Sequence, residues 1–256
     1  MTPILTIIAP NKNRLDINSN TTKWFVKSLN WQTKRHIFKV LIIDGGSKNY
    51  EELVPYLKDN AIDIMQYKTT DEYFHKTLLN NVAIRNVDTD YIMTTDCDIV
   101  FGKDFIDILS KHFFITNFIE SRVLYWKEYT AQKIYNGELD PYKDLDACKI
   151  GRIKQRTTPG AAQCSHKDNF YNIHGYNELY MGWGSEDLDL LKRMEMSGLK
   201  VVWMGETRES IMAFHQPHPK ANIKNDLEWQ EKNKKLLYNI RNVKANLNGW
   251  GGYGLK

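Results

Sequence analysis

The segment GWGSEDLD, residues 182–189, places an indole, two glycines and three carboxylates in one short stretch. An aromatic plate beside hydrogen-bonding acids can hold a sugar ring, and an ionised acid there can take a proton from a hydroxyl. Gly182 and Gly184 flank Trp183 and let the backbone turn tightly, leaving the ring beside the acids. The same residues also have a purely structural reading. Ser185 can cap a helix over 186–196 with Leu188, Leu191 and Met194 on its buried face and Gly198 as its stop. Glu186 and Asp187 in the first turn then merely suit the helix macrodipole.

A second acidic pair, Asp96 and Asp98, lies between the apolar runs YIMTT and IVF. Acids two apart on extended chain point to one side, which suits oxygen coordination of Mg²⁺ or Mn²⁺. His215, at the end of an apolar run, can complete such a site with Asp98; His218 competes for that place, and a structural histidine is the alternative. Two loops add polar groups. PNKNR, residues 10–14, alternates Lys12 and Arg14 with asparagines, so that both can face a pyrophosphate, or form a solvated basic turn. DGGSKN, residues 44–49, sets a carboxylate before two glycines, either as an acceptor for a ribose hydroxyl or base imide or as a plain left-handed turn.

These residues need a scaffold that brings strand ends together. Short buried strands are predicted over 4–9, 38–43, 62–66 and 90–95, alternating with helices over 21–30, 50–58 and 72–86, the last carrying Lys76, Asn80, Asn81 and Arg85. That alternation indicates a doubly wound, mainly parallel α/β sheet, in which ligands sit at the carboxyl ends of the strands. Further on, a helix is predicted over 104–114 and strands over 121–125, 160–165, 199–204 and 211–215. Residues 133–159, with Lys149, Arg152, Lys154 and Arg156, lose periodicity and read as a long basic loop. A polar helix over 225–242 lies across the outside, ahead of the glycine-rich, aromatic ending NGWGGYGLK.

With 256 residues the chain can bury a substantial core, and one domain over 1–220 is expected, with a nucleotide-binding half (1–100) and an acceptor-binding half (101–220), followed by a helix and tail. The net charge of +4 is spread singly among acids and calls for no nucleic-acid partner. Cys97, Cys148 and Cys164 cannot all pair within one chain and match no zinc-ligand spacing. Reduced thiols, no leader-like opening and no apolar run of about 20 residues lead to the expectation of a cytoplasmic protein, with membrane association only at the surface.

Taken together, the motifs resemble GT-A nucleotide-sugar glycosyltransferases of the family 2 type, with a second half similar to β-1,4-galactosyltransferases, over residues 4–218. The turn 44–47 and Asp96-Cys97-Asp98 resemble the family 2 aspartate turn and D-x-D motif. PNKNR, LLNNVAI, GWGSEDLD and MAFH resemble the galactosyltransferase P-x-R-N-R, L-L-N-V-G, G-W-G-G-E-D-D-D and M-x-x-H segments. The resemblance implies that Pro10, Asn11, Lys12, Arg14, Asp44, Gly45, Lys76, Asp96 and Cys97 form the UDP-sugar site. It further implies that Asp98, His215 and Met212 bind Mn²⁺ (or Mg²⁺), that Trp183, Gly184 and Glu186 hold a saccharide acceptor, and that Asp187 is the general base of an inverting transfer. Galactose or N-acetylgalactosamine is the donor type it favours. Lys12 in place of arginine, Gly45 in place of a second aspartate and Leu188 in place of an acid depart from the pattern. A retaining enzyme of the same fold, similar to the polypeptide N-acetylgalactosaminyltransferases, and a non-catalytic carbohydrate-binding module are the competing readings. A nucleotidyltransferase is disfavoured because PNKNR lacks the glycines that cradle a triphosphate.

Overall fold

The computed structural model describes residues 2–69, 74–153, 159–160, 162–218 and 223–254. The first half runs β1 (Leu5–Asn11), α1 (Asn20–Asn30), a 3-10 turn (Arg35–Ile37), β2 (Phe38–Asp44), α2 (Tyr50–Asp59), β3 (Asp63–Gln66), α3 (Lys76–Asn86), β4 (Tyr91–Thr95), β5 (Ile99–Phe101) and α4 (Phe105–Ser110). The second runs β6 (Asn117–Ser121), β7 (Leu124–Trp126), α5 (Glu128–Tyr135), β8 (Gly151–Ile153), β9 (Ala162–His166), α6 (Lys167–Asn172), α7 (Glu186–Met196), β10 (Lys200–Met204), β11 (Ala213–His215), α8 (Ile223–Tyr238), β12 (Gly249–Trp250) and β13 (Tyr253–Gly254).

The central sheet has the order β10-β6-β9-β4-β1-β2-β3. β1 pairs in parallel with β2 and β4, β2 with β3, and β6 with β10, while β9 runs antiparallel to both β4 and β6. The expected mainly parallel sheet is therefore interrupted by one reversed strand at its middle. All of β1 is buried, and its side chains divide by strand alternation. Leu5, Ile7 and Ala9 join Phe25 and Leu29 of α1, Leu53 and Leu57 of α2, and Phe105 and Leu109 of α4 in one core. Ile8 faces the opposite core, with Leu79 and Val82 of α3, Phe170 of α6, and Leu190 and Met194 of α7. Pro10 is tolerated inside β1 because pairing with β4 ends at the Ile8–Thr94 register, so no partner on that side awaits its missing N–H.

A second sheet, β5-β11-β7-β8, packs over a third core that includes Phe214, Trp126 and Cys148. The strand expected over 121–125 is two strands in two sheets, because the chain turns at 122–123 from β6 into β7. The stretch expected as an irregular loop over 133–159 is more ordered than its periodicity suggests. α5 covers its start, β8 lies within it, and Trp126 Nε1 donates to the buried Cys148 carbonyl at 2.9 Å. Lys154 and Arg156 lie outside the described residues. All three cysteines are buried and unpaired with one another.

The tail is part of the fold. Trp250 is buried in the second core, the Gly251 amide donates to Glu178 Oε1 at 2.6 Å, and Asn246 Nδ2 donates to the His174 and Tyr176 carbonyls. Gly175 is required beneath it, since a Cβ there would come within 2.7 Å of the Trp250 ring.

Candidate functional site

α7 begins at Glu186, as its apolar spacing predicts. Ser185 does not cap it as expected: its φ of 74° is left-handed, and its side chain makes no capping hydrogen bond. Side-chain capping needs an extended Ncap residue, and the tight Gly182–Gly184 turn forces the chain into the helix from another direction. Gly182 and Gly184 both have positive φ. α8 covers the turn, with Asn233 Nδ2 donating to the Met181 and Trp183 carbonyls at 2.9 and 3.3 Å, and Trp183 is 54% exposed.

The acids of this segment separate into two uses. Asp189 forms a buried pair with Arg193 at 2.7 Å, whose guanidinium also donates to the Ile173 and Gly175 carbonyls; this acid is structural. Glu186 and Asp187 instead turn towards Lys76 at the start of α3. Its Nζ lies 3.1 Å from Asp96 Oδ1, 3.3 Å from Glu186 Oε1 and 3.2 Å from both oxygens of Asp187. Burial pushes the Asp187 carboxyl up to about 7, against the Lys76 charge and helped by Glu186 and Asp96. For Lys76, burial works towards a lower pKa, yet Asp187, Asp96 and Glu186 outweigh it and hold the ammonium well above its ordinary range.

Asp98 belongs to a different group. Its carboxylate stands 3.2 Å from His218 Nε2, 3.6 Å from His215 Nε2 and 3.7 Å from Arg14 Nε. Burial alone would raise this carboxyl, but the His218 hydrogen bond and the charges of His215 and Arg14 hold it below its ordinary value. Asp98, His215 and His218 offer one ligand atom each, all within 4.8 Å of one another, and Asp98 Oδ1 has no hydrogen-bond partner. The expectation that Asp96 and Asp98 share one side fails. β4 ends at Thr95, Cys97 and Asp98 form a turn, and the alternation of extended chain does not cross it.

Met212 does not reach the Asp98 group either. β11 runs antiparallel to β5, which sets Gln216 against Asp98 and Met212 against Gly102. Three residues of strand put Met212 about 10 Å along from His215 and on the opposite face. His218, placed by the turn after β11, is the third member instead.

The nucleotide-loop residues also diverge. Asn11 lies inside β1, and its Nδ2 donates to Asp44 Oδ2 and Ser47 Oγ, while its Oδ1 accepts the Arg14 and Leu15 amides. Asp44 Oδ1 accepts the Gly46 and Ser47 amides at 2.8 Å each. The Asp44 carboxylate is thus turned into its own loop, which it shapes; it does not project into open space. Cys97 is likewise in the core, its thiol donating to the Pro10 carbonyl. Lys12, Gly45, Gly46, Ser47, Lys48, Tyr50, Glu51, Gln66, Lys68 and Thr69 line an open cleft of about 400 Å³. Lys12 faces this cleft and Arg14 faces Asp98, so the two cations reach different ends of the crevice.

Several members of the site carry no motif. Gln163 and Gly160 join Lys76, Thr94, Thr95 and Asp187 around one small pocket, and a Cβ on Gly160 would fall 2.4 Å from Asp187 Oδ2. The small-residue run 160–165 was the only trace of them in the sequence, as a place of close approach.

A family model described as the N-terminal domain of galactosyltransferase matches residues 148–216. A comparison with curated proteins finds no match. Among solved structures the chain is similar to S. aureus TarS, with 14% identity and a TM-score of 0.56, covering 84% of this chain and 37% of that one. It is also similar to S. aureus TarS 1-349 in complex with UDP-GlcNAc, at 11% identity and a TM-score of 0.57 over 93% of this chain and 67% of that one. The complex of TarS 1-349 with UDP gives 14% identity and a TM-score of 0.52 over 84% and 61%. The chain therefore spans little more than a third of TarS and about two thirds of its 1-349 form. With acids and loops gathered at the strand ends of a doubly wound sheet, and similarity to the galactosyltransferase model over the 148–216 stretch that holds Asp187 and His215, the chain has the GT-A glycosyltransferase fold.

Proposed function

We propose that the chain transfers a sugar from a UDP-sugar to a saccharide hydroxyl with inversion at the anomeric carbon, Asp187 acting as base. The observation that carries this reading is a part-buried acid, raised to about 7 in the first turn of α7, four residues after an exposed Trp183 and within one lysine of the acid at the β4 end. The acceptor ring stacks on Trp183 and hydrogen-bonds to Glu186. As its hydroxyl oxygen bonds to the anomeric carbon, its proton passes to Asp187 and UDP departs with the electrons of the broken bond. A part-buried acid with a pKa near neutrality can both take that proton and give it up again. Its placement favours inversion, since retention needs no base there.

The donor side is read from the cleft beside Gly45 and Gly46, whose volume suits a nucleoside and whose Lys12, Lys48 and Lys68 suit its phosphates. The UDP and UDP-GlcNAc complexes of TarS support UDP as the nucleotide. The galactosyltransferase segment keeps galactose or N-acetylgalactosamine as the favoured donor sugars, with N-acetylglucosamine now a third. Residues 1–100 then form the nucleotide half and 101–220 the acceptor half. Among the described residues no helix is long and apolar enough to cross a membrane, in keeping with an enzyme working in the cytoplasm or at a membrane surface.

Asp98, His215 and His218 fit a divalent cation: the donor set is one carboxylate and two imidazoles, and a buried carboxylate oxygen there accepts no hydrogen bond. Imidazole ligands favour Mn²⁺ over Mg²⁺, which prefers oxygen and water. When bound, such a cation offsets the charge that develops on the leaving diphosphate. Arg14 stands next to the same group and supplies a fixed positive charge to it.

The test is UDP release and transfer across a panel of UDP-sugars, with Mn²⁺ and with chelator, in the wild type and Asp98→Ala. Metal-dependent turnover of one donor, lost in the variant, is expected. Saccharide binding without response to any nucleotide sugar would instead assign a binding module.

A further inference from the structure

Beneath Asp187 lies a buried polar row with no counterpart in the motifs. β9 pairs with β4 and β6 so that Thr94, Gln163 and Glu120 are direct cross-strand neighbours on three adjacent strands. All three are buried, Glu120 completely. Gln163 is the fork of the row. Its Nε2 donates to Glu120 Oε1 and to the Asp187 backbone carbonyl at 3.1 Å, and its Oε1 accepts from Tyr176 OH at 2.9 Å. Tyr176 OH in turn lies 2.7 Å from Thr94 Oγ1.

A carboxyl at the centre of a sheet is costly unless it has a task, and Glu120 Oε2 has no hydrogen-bond partner. An amide side chain can rotate by half a turn and exchange its donor and acceptor ends. With an acceptor only at Tyr176, either orientation of Gln163 would be tolerated, because a hydroxyl can donate or accept. The Asp187 backbone carbonyl removes that freedom, because it can only accept and so draws the NH₂ to its side, where Glu120 Oε1 accepts as well. On its other flank the Asp187 carboxylate packs against Gly160, close enough that a Cβ there would fall 2.4 Å from Oδ2.

We propose that Glu120 and Gln163 are positioning residues that tether the first turn of α7 to the sheet and hold the Asp187 carboxylate in place for proton transfer. The inference rests on the transferase reading for its catalytic part, but the tether itself is a property of the fold. Burial also raises the Glu120 carboxyl well above its ordinary range, against the Gln163 hydrogen bond, and its replacement by glutamine keeps the shape of the side chain and an accepting Oε1.

The experiment uses the full chain and three variants, Glu120→Gln, Glu120→Leu and Gln163→Leu. Amide hydrogen exchange over 186–192 is read alongside steady-state kinetics with the donor found in the panel. Gln163→Leu and Glu120→Leu are expected to speed exchange in that segment about tenfold or more, with other segments little changed. They should lower kcat about 10- to 100-fold, as a small misplacement of a catalytic group does, with donor KM within about twofold. Glu120→Gln should restore both readouts. Unchanged exchange at 186–192 in both leucine variants, or loosened exchange with unchanged kcat, would overturn the proposal, as would equal loosening of every segment. A wild type that turns over no donor, with the leucine variants still loosened, would sink the transferase reading while leaving the tether in place.

Discussion

Two carboxylates separated by one residue, Asp96 and Asp98, end in unlike surroundings. Asp96 is a third exposed and joins Glu186 and Asp187 around the ammonium of Lys76. Asp98 is buried among two imidazoles and the Arg14 guanidinium. The first group is an excess of acids around one cation, which burial drives towards protonation at Asp187. The second is one acid among several partners, held ionised despite burial. One cluster thus holds a carboxyl raised to near neutrality and the other a carboxyl held below its ordinary value, and a single turn at Cys97 and Asp98 separates them.

The contrast can be broken at either end. Asp187→Asn should reduce transfer about 10²- to 10⁴-fold, the usual worth of a general base, with UDP binding by calorimetry nearly unaltered. Full activity in that variant would remove Asp187 from the mechanism. His218→Ala should weaken the Mn²⁺-induced thermal shift by an amount comparable with His215→Ala, whereas Met212→Leu should leave it intact; the reverse order would restore the M-x-x-H ligand set.

The pH profile sharpens the same comparison. With the Asp187 carboxyl at about 7, kcat/KM should rise with pH through neutrality as the base ionises and then level off. Lys76→Met removes the positive charge that holds this pKa down, so the rising limb should move to higher pH. A limb that stays in place would show that Lys76 and Asp187 are not coupled.

The smallest effects test the turn that presents the acids. Gly182→Ala puts a Cβ within 2.9 Å of the Trp229 ring at a positive φ, and should cost about 1–3 kcal/mol in chemical denaturation. Ser185→Ala, which removes no capping bond, should change stability by less than about 0.5 kcal/mol.

Much of the frame is local and was therefore readable. β1, β2 and β4 are mostly apolar runs, and α7 has its spacing of Leu191 and Met194, because burial on both sheet faces or on one helix face leaves its mark on the residues themselves. The GWGSEDLD, PNKNR and Asp98/His215 segments could likewise be singled out, since their residue types are chemically unusual at strand ends and helix starts. Of the second sheet, β11 and part of β7 fall within the strands predicted over 211–215 and 121–125, while β5 and β8 escaped because three residues are too short for a period to show.

What the chain determined by itself was the alternation of strand and helix, the acid-rich start of α7 and the stock of acids and histidines. Only the tertiary structure decided which of them meet. It brought His218 rather than Met212 to Asp98, divided Asp96 from Asp98, made Lys76 the partner of three acids, and set Glu120 and Gln163 behind Asp187. Each of these depends on strand register or on a turn between elements far apart in sequence, and side-chain convergence across such distances leaves no periodic trace in the residues that take part.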